Sequence, residues 1–213
     1  MSKLATVLTA IVFIVTVPAS GLPAPVIGGD PIYTQDNEDF AGLQTPWALT
    51  IFSYVFDNTS ASLPGNLALD PGEMLFIYLL DCDGAETISV DYFSVGNPHL
   101  APINTVGWTS DVVPAGYNVD DHQDPYLYGY SGPAQAVIYT YSGNFFDPYC
   151  TLDPGEYSLV YYIAVAPGYT QVSATASGGG EGDVGLIPGP IPEPATVFLL
   201  GLGALALLRK RRQ

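Results

Sequence analysis

Between Lys3 and Arg209 the chain has no lysine and no arginine; its five basic residues are Lys3, Arg209, Lys210, Arg211 and Arg212. Without cations the central body has nothing with which to neutralise phosphates, which excludes nucleic acid and anionic lipid as partners of that body. It also lacks an arginine clamp or P-loop lysine for phosphoryl transfer and a lysine for Schiff-base chemistry. Of the 21 acidic residues only Glu193 falls in the C-terminal tail, so 20 carboxylates remain and the body carries a formal charge near −20 with both histidines neutral.

Other scarcities narrow the chemistry further. The only imidazoles are His99 and His122, and neither belongs to a spaced metal motif. Asp120-Asp121-His122 is a candidate metal or acid/base site, although a single histidine among loop acids is ordinarily a surface feature. No nucleophile elbow occurs, since Gly129-Tyr130-Ser131-Gly132-Pro133 has proline where the last glycine is required. A glycosidase's paired carboxylates are defined by their spatial separation, which spacing along the chain does not reveal. Outside the two ends no segment shows a long helical stripe.

The ends are the greasy parts. Lys3, the uncharged run Leu4–Val17 and then Pro18-Ala19-Ser20 have the three-part pattern of a secretory signal peptide, residues 1–19, with cleavage after Ala19. The competing reading is an uncleaved N-terminal anchor, disfavoured by the short apolar run and the helix breaker that ends it. At the other end Pro192-Glu193-Pro194 precedes a 14-residue uncharged run, Ala195–Leu208, closed by Arg209-Lys210-Arg211-Arg212. An apolar run stopped by cations enters a bilayer with its basic end in the cytoplasm. As a helix it reaches only roughly 21 Å against a hydrocarbon core of about 30 Å, so it makes a marginal, short-lived anchor. A docked amphipathic helix is the alternative, but nothing polar interrupts the run at a 3.6-residue period.

The tail, residues 191–213, resembles the PEP-CTERM sorting signal of bacterial exported proteins. The resemblance rests on Pro192-Glu193-Pro194, the short apolar helix with small residues Gly201, Gly203, Ala204 and Ala206, and the basic terminus, in that order. Ile191 stands where the family most often has valine. The resemblance implies recognition by a membrane exosortase, removal of the tail near Pro192–Pro194, and release from or attachment to the surface of bacteria that make exopolysaccharide. It covers about a tenth of the chain and says nothing of the body's activity.

The body has the composition of a strand-rich domain, with 15 tyrosines and abundant Thr, Val and Ile punctuated by Pro and Gly. Residues 20–40 read as an irregular leading arm, 41–176 as one domain, and 177–190 as a Gly/Pro-rich linker that holds the domain clear of the membrane. Strands are expected at 47–56, 73–80, 87–93, 106–113, 126–130, 134–141, 157–166 and 169–176. Short strands at turn-punctuated intervals make the expected fold an all-β, single-domain antiparallel β-sandwich or jelly roll, flanked by the signal peptide and the C-terminal sorting helix.

A repeated phrase marks two of these strands. Leu69-Asp70-Pro71-Gly72-Glu73 returns as Leu152-Asp153-Pro154-Gly155-Glu156, and Pro-Gly suits the centre of a type II turn that launches a strand. Two strand-initiating turns are a simpler reading than two ligand loops. Cys82 lies just beyond the first repeat's strand and Cys150 just before the second repeat's turn, so if those strands are antiparallel neighbours the sulfurs meet. A Cys82–Cys150 disulfide suits an exported chain and, closing about 69 residues, would contribute roughly 4 kcal/mol in the chain-entropy model. Two buried thiols acting as small apolar fillers are the alternative, and a catalytic cysteine is disfavoured by the acidic field.

Three acidic clusters, Asp81/Asp83/Glu86, Asp120/Asp121/Asp124 and Asp36/Glu38/Asp39, are candidate Ca²⁺ ligands or simply solvated loops. Asp81-Cys82-Asp83-Gly84 opens like a calcium loop but lacks the third acid and the terminal glutamate. Tyr126, Tyr128 and Tyr130 alternate, as do Tyr139 and Tyr141, so each set shares a strand face that either stacks on sugar rings or packs in the core. The expected function is a non-catalytic surface or matrix protein, with the exosortase and extracellular polysaccharide as partners, no obligate cofactor and transient inner-membrane association through the tail. The rivals are a Ca²⁺-dependent carbohydrate-binding module and a secreted hydrolase.

Overall fold

The computed structural model describes residues 30–37, 49–58, 69–82, 89–130, 136–141, 151–178 and 181–191. The signal peptide, the apolar tail segment, Cys150, Asp83, Glu86, Glu38 and Asp39 lie outside these residues. The described chain is all-β, with ten strands: β1 (Tyr33–Asn37), β2 (Leu49–Asp57), β3 (Glu73–Cys82), β4 (Tyr92–Gly96), β5 (Ile103–Trp108), β6 (Leu127–Tyr130), β7 (Ala136–Thr140), β8 (Tyr157–Val165), β9 (Gly168–Gly178) and β10 (Glu181–Ile191). Its helical content is one 3₁₀ turn at Val119–Asp121.

The strands form two five-stranded sheets, in the orders β1-β2-β3-β8-β5 and β10-β9-β4-β7-β6, and every pairing is antiparallel. One core lies between them. Ile51, Val55, Phe76, Tyr78, Val160 and Tyr162 of the first sheet meet Phe93, Val95, Val137, Tyr139, Val172 and Ile187 of the second. Full burial of each aliphatic or phenylalanine side chain contributes about 1.5–3 kcal/mol.

β3 shows no in-out alternation, since nine of its ten residues are buried. The cause is a second apolar layer on the far face of the first sheet. There Phe52, Tyr54, Phe56, Leu75, Ile77, Leu79 and Leu159 are covered by Val112 and Tyr117 from the β5–β6 connection. That connection is tied down by main-chain bonds from Thr109 N to Leu159 O (3.0 Å) and Gln123 N to Tyr157 O (2.9 Å). The Tyr117 hydroxyl adds a bond to Asp81 Oδ2 at 2.6 Å.

Two elements correct the sequence reading. β1 lies within the stretch read as an irregular arm; it is a short edge strand whose described side chains Tyr33–Asp36 are all half-buried, so it carries no alternation to detect. β10 lies within the stretch read as a linker. Its prolines, Pro188 and Pro190, are two residues apart and β10 is the edge of its sheet, a position where proline's missing N–H costs no ladder bond. The domain therefore extends to Ile191, which pairs with Gly168, and Pro192 follows with no linker between.

Candidate functional site

The repeated turns are built alike. In each, the glutamate N–H donates to the aspartate carbonyl (Glu73 to Asp70, 3.0 Å; Glu156 to Asp153, 2.9 Å) and the glycine takes positive φ (Gly72 +89°, Gly155 +93°). The glutamate carboxylate accepts from the aspartate N–H, at 2.7 Å from Asp70 and 2.8 Å from Asp153. They sit at opposite ends of the central β3/β8 pair, where Glu73 faces Val165 and Asp81 faces Tyr157. The two copies are thus related by a local twofold through that pair and serve as strand-initiating turns. Cys82 is buried against the second copy, its N–H donating to Glu156 O (3.0 Å) and its carbonyl accepting from Gly155 N (2.8 Å). The antiparallel adjacency on which the Cys82–Cys150 pairing depends is therefore present.

Among the described residues no group of three or more His, Cys, Asp or Glu is arranged to hold a metal ion. Asp81 receives the Tyr117 hydroxyl as part of the covering layer. Asp120 and Asp121 belong to the 3₁₀ turn, where Asn118 Oδ1 accepts from Asp120 N at 3.3 Å. His122 turns inward beneath them, its ring edge-on to Tyr157 at 5.2 Å and tilted against Trp108 at 6.2 Å. Its Nδ1 stands 3.0 Å from Asp124 Oδ1, while Nε2 is buried with no hydrogen-bond partner among the described residues. Burial pushes the His122 pKa down against the pull of Asp124 and of the Thr109 main chain, and burial likewise pushes Asp124 up, so the site favours the uncharged form of each group. This is a packed histidine pinning the covering connection. His99 is exposed in the turn after β4.

The two tyrosine sets separate. Tyr139 and Tyr141 are fully buried, Tyr139 donating to Tyr161 O at 2.7 Å and Tyr141 to Ser158 Oγ at 2.8 Å, which places them in the core and removes them as surface candidates. Tyr126, Tyr128 and Tyr130 remain 51 %, 50 % and 57 % exposed beside Leu127, at 60 %. β6 is an edge strand with a partner on one side only, so rings that in β7 would be sealed in stay open to solvent here. Tyr128 lies opposite Tyr139 and Tyr130 opposite Val137, so both continue the inner face of their sheet past its edge. The result is a row of half-exposed phenols on a body without cations.

The opposite edge of the same sheet carries residues that sequence reasoning missed. Tyr78, fully buried on β3, donates to Pro188 O at 2.7 Å, and its hydroxyl lies 3.3 Å from that of Tyr162. Gln35 Nε2 donates to Leu186 O at 2.9 Å, and Gln171 Nε2 to Gln35 Oε1 at 2.6 Å. The rings of Tyr33 and Tyr169 meet at 4.8 Å. Side chains of the first sheet thus fasten β10 in place, bringing the start of the tail against the folded body. Alternation of proline at 188, 190, 192 and 194 was the available signal that an edge strand, not a linker, leads into the tail.

Comparison with curated proteins returns no match. Comparison with protein families matches residues 190–212 to the PEP-CTERM protein-sorting motif. The match begins inside β10, so folded body and sorting label overlap at Pro190 and Ile191. The chain accordingly carries a PEP-CTERM sorting motif at its C-terminal end, which implies an exported protein addressed to an exosortase.

Proposed function

We propose that this protein is a non-catalytic component of the bacterial cell surface or extracellular matrix, whose two-sheet body is a β-sandwich that presents the β6 tyrosine edge to extracellular polysaccharide. In this reading residues 1–19 direct export, the tail holds the precursor briefly at the inner membrane, and an exosortase removes it near Pro192–Pro194. The observation that carries the binding role is the row Tyr126, Tyr128 and Tyr130, half-exposed along and just before the edge strand β6 of a body with no Lys or Arg. Phenol rings stack on the apolar faces of sugars and their hydroxyls hydrogen-bond them. With about 20 carboxylates and no cation on the body as a whole, neutral glycans are favoured over acidic ones. A Ca²⁺-dependent module has no assembled ligand set among the described residues to support it.

Affinity electrophoresis through gels containing neutral and acidic polysaccharides, with and without Ca²⁺, tests the reading. The mature body is expected to be retarded by a neutral polymer independently of Ca²⁺. Replacing all three tyrosines by alanine should weaken binding at least tenfold, taking about 0.5–1.5 kcal/mol for each aromatic contact. Equal retardation of the triple variant, or none of the parent, rejects the site.

A further inference from the structure

The main chain of β10 has two unlike edges. In an antiparallel strand the N–H and C=O of one residue point to the same side, and successive residues alternate. The carbonyls of Leu186 and Pro188 are taken by Gln35 and Tyr78 of the first sheet, so even-numbered residues turn their main chain away from β9. Odd-numbered Ile187, Gly189 and Ile191 therefore turn theirs toward β9, opposite Val172, Thr170 and Gly168. The even edge has no N–H at 188 and 190, and the sequence repeats that omission at 192 and 194. Ile187, Pro188, Gly189 and Pro190 are buried, and a Cβ added to Gly189 would stand 2.4 Å from Val172 Cγ2, so β10 is seated closely.

An enzyme that cuts a peptide commonly holds it extended, by main-chain hydrogen bonds along one edge. Near Pro192 only the odd edge has donors to offer, and β9 occupies it. We propose that the processing enzyme reads the main chain of Ile187, Gly189 and Ile191, the same edge that pairs with β9, so that β10 docking and tail processing compete and release of the end of β10 sets the processing rate. The partner is thus a cleft that binds extended backbone by strand pairing, and this surface is hidden in the folded body. The inference rests on the reading of the tail as an exosortase substrate.

Pulse–chase of the full-length chain in a host with a functional exosortase, followed by intact mass, tests it. Inserting eight Gly/Ser residues between Ile191 and Pro192 leaves β10 paired with β9 but places unpaired main-chain donors directly upstream of Pro192, in the positions held by Ile187, Gly189 and Ile191 in the parent, and should shorten the processing half-time at least threefold. Tyr78→Phe, which removes the clasp on Pro188, should act in the same direction. Ile191→Pro also loosens the end of β10 but deletes a donor, and it should slow processing at least tenfold. Parent-like processing of the spacer variant, or processing of Ile191→Pro as fast as the parent, overturns the competition while leaving the sorting assignment intact. A parent chain that is never processed in that host overturns the sorting assignment and the competition with it.

Discussion

Raising the pH above 10 should unfold this body in one cooperative step, for a reason specific to its composition. All 15 tyrosines lie between the two labels, where lysine and arginine are absent, so apart from the two cysteines and the chain's amino end nothing else titrates between about pH 9 and 12. Tyr78, Tyr139, Tyr141 and Tyr162 are fully buried in the core shared by the sheets, and burial raises the pKa of each well above its ordinary value. Neighbouring tyrosines push Tyr78 and Tyr139 further up, while the hydrogen bonds between Tyr141 and Ser158 and between Tyr78 and Tyr162 only partly offset the effect on Tyr141 and Tyr162. The folded state thus keeps protons that the unfolded chain gives up near pH 10. Stability is fully present below that pH and declines above it, by about 1.4 kcal/mol per pH unit for each such tyrosine. Four together remove roughly 5.6 kcal/mol per unit, which exhausts a typical stability of about 5–15 kcal/mol within one to three units. Phenolate absorbance at 295 nm and far-UV circular dichroism, followed together from pH 8 to 13, should show the buried phenols ionising in the same step that loses the β signal. Complete, non-cooperative titration of every tyrosine near pH 10 with the β signal intact would refute the placement of these four rings.

The twin turns predict additive losses. Gly72→Ala and Gly155→Ala each force a Cβ onto a backbone at positive φ, at a cost of about 1–2 kcal/mol in urea unfolding. Because the turns lie at opposite ends of the β3/β8 pair, the double variant should equal the sum to within about 0.5 kcal/mol. For the proposed Cys82–Cys150 disulfide, the mature body recovered under non-reducing conditions should lack two hydrogens of mass and gain them on reduction. Cys82→Ser should then lower stability by about 2–4 kcal/mol, while a thiol-reactive label that modifies both cysteines of the unreduced protein would exclude the bond.

What the chain disclosed by itself depended on which edge or face each residue occupies. β3 and β8 were legible because both are central, rich in aromatic and branched residues, and announced by the same Asp-Pro-Gly-Glu phrase. The sorting motif was legible because its cue is local, a proline-bracketed acid before an apolar run and a basic end. β1 and β10 were not. Edge strands tolerate the polar residues, glycine and proline that elsewhere signal loops, and β10 is held by Tyr78 from a strand 110 positions distant. Tyr128 and Tyr139 look alike in sequence and face each other in register, yet one is half-exposed and the other sealed. Only sheet order decides between them, and alternation within a strand cannot supply it. Burial of His122 has the same origin, since Trp108 and Tyr157 reach it from two other segments.

The intact mass of the protein recovered from culture medium and from the cell surface bears most directly on the central claim that an exported two-sheet body, complete through β10, is parted from a sorting tail. The account predicts a species beginning near Ser20 and ending within Ile191–Pro194. A full-length chain persisting in the inner membrane of a host with a functional exosortase, or a mature form cut before Glu181 and so lacking β10, would contradict it.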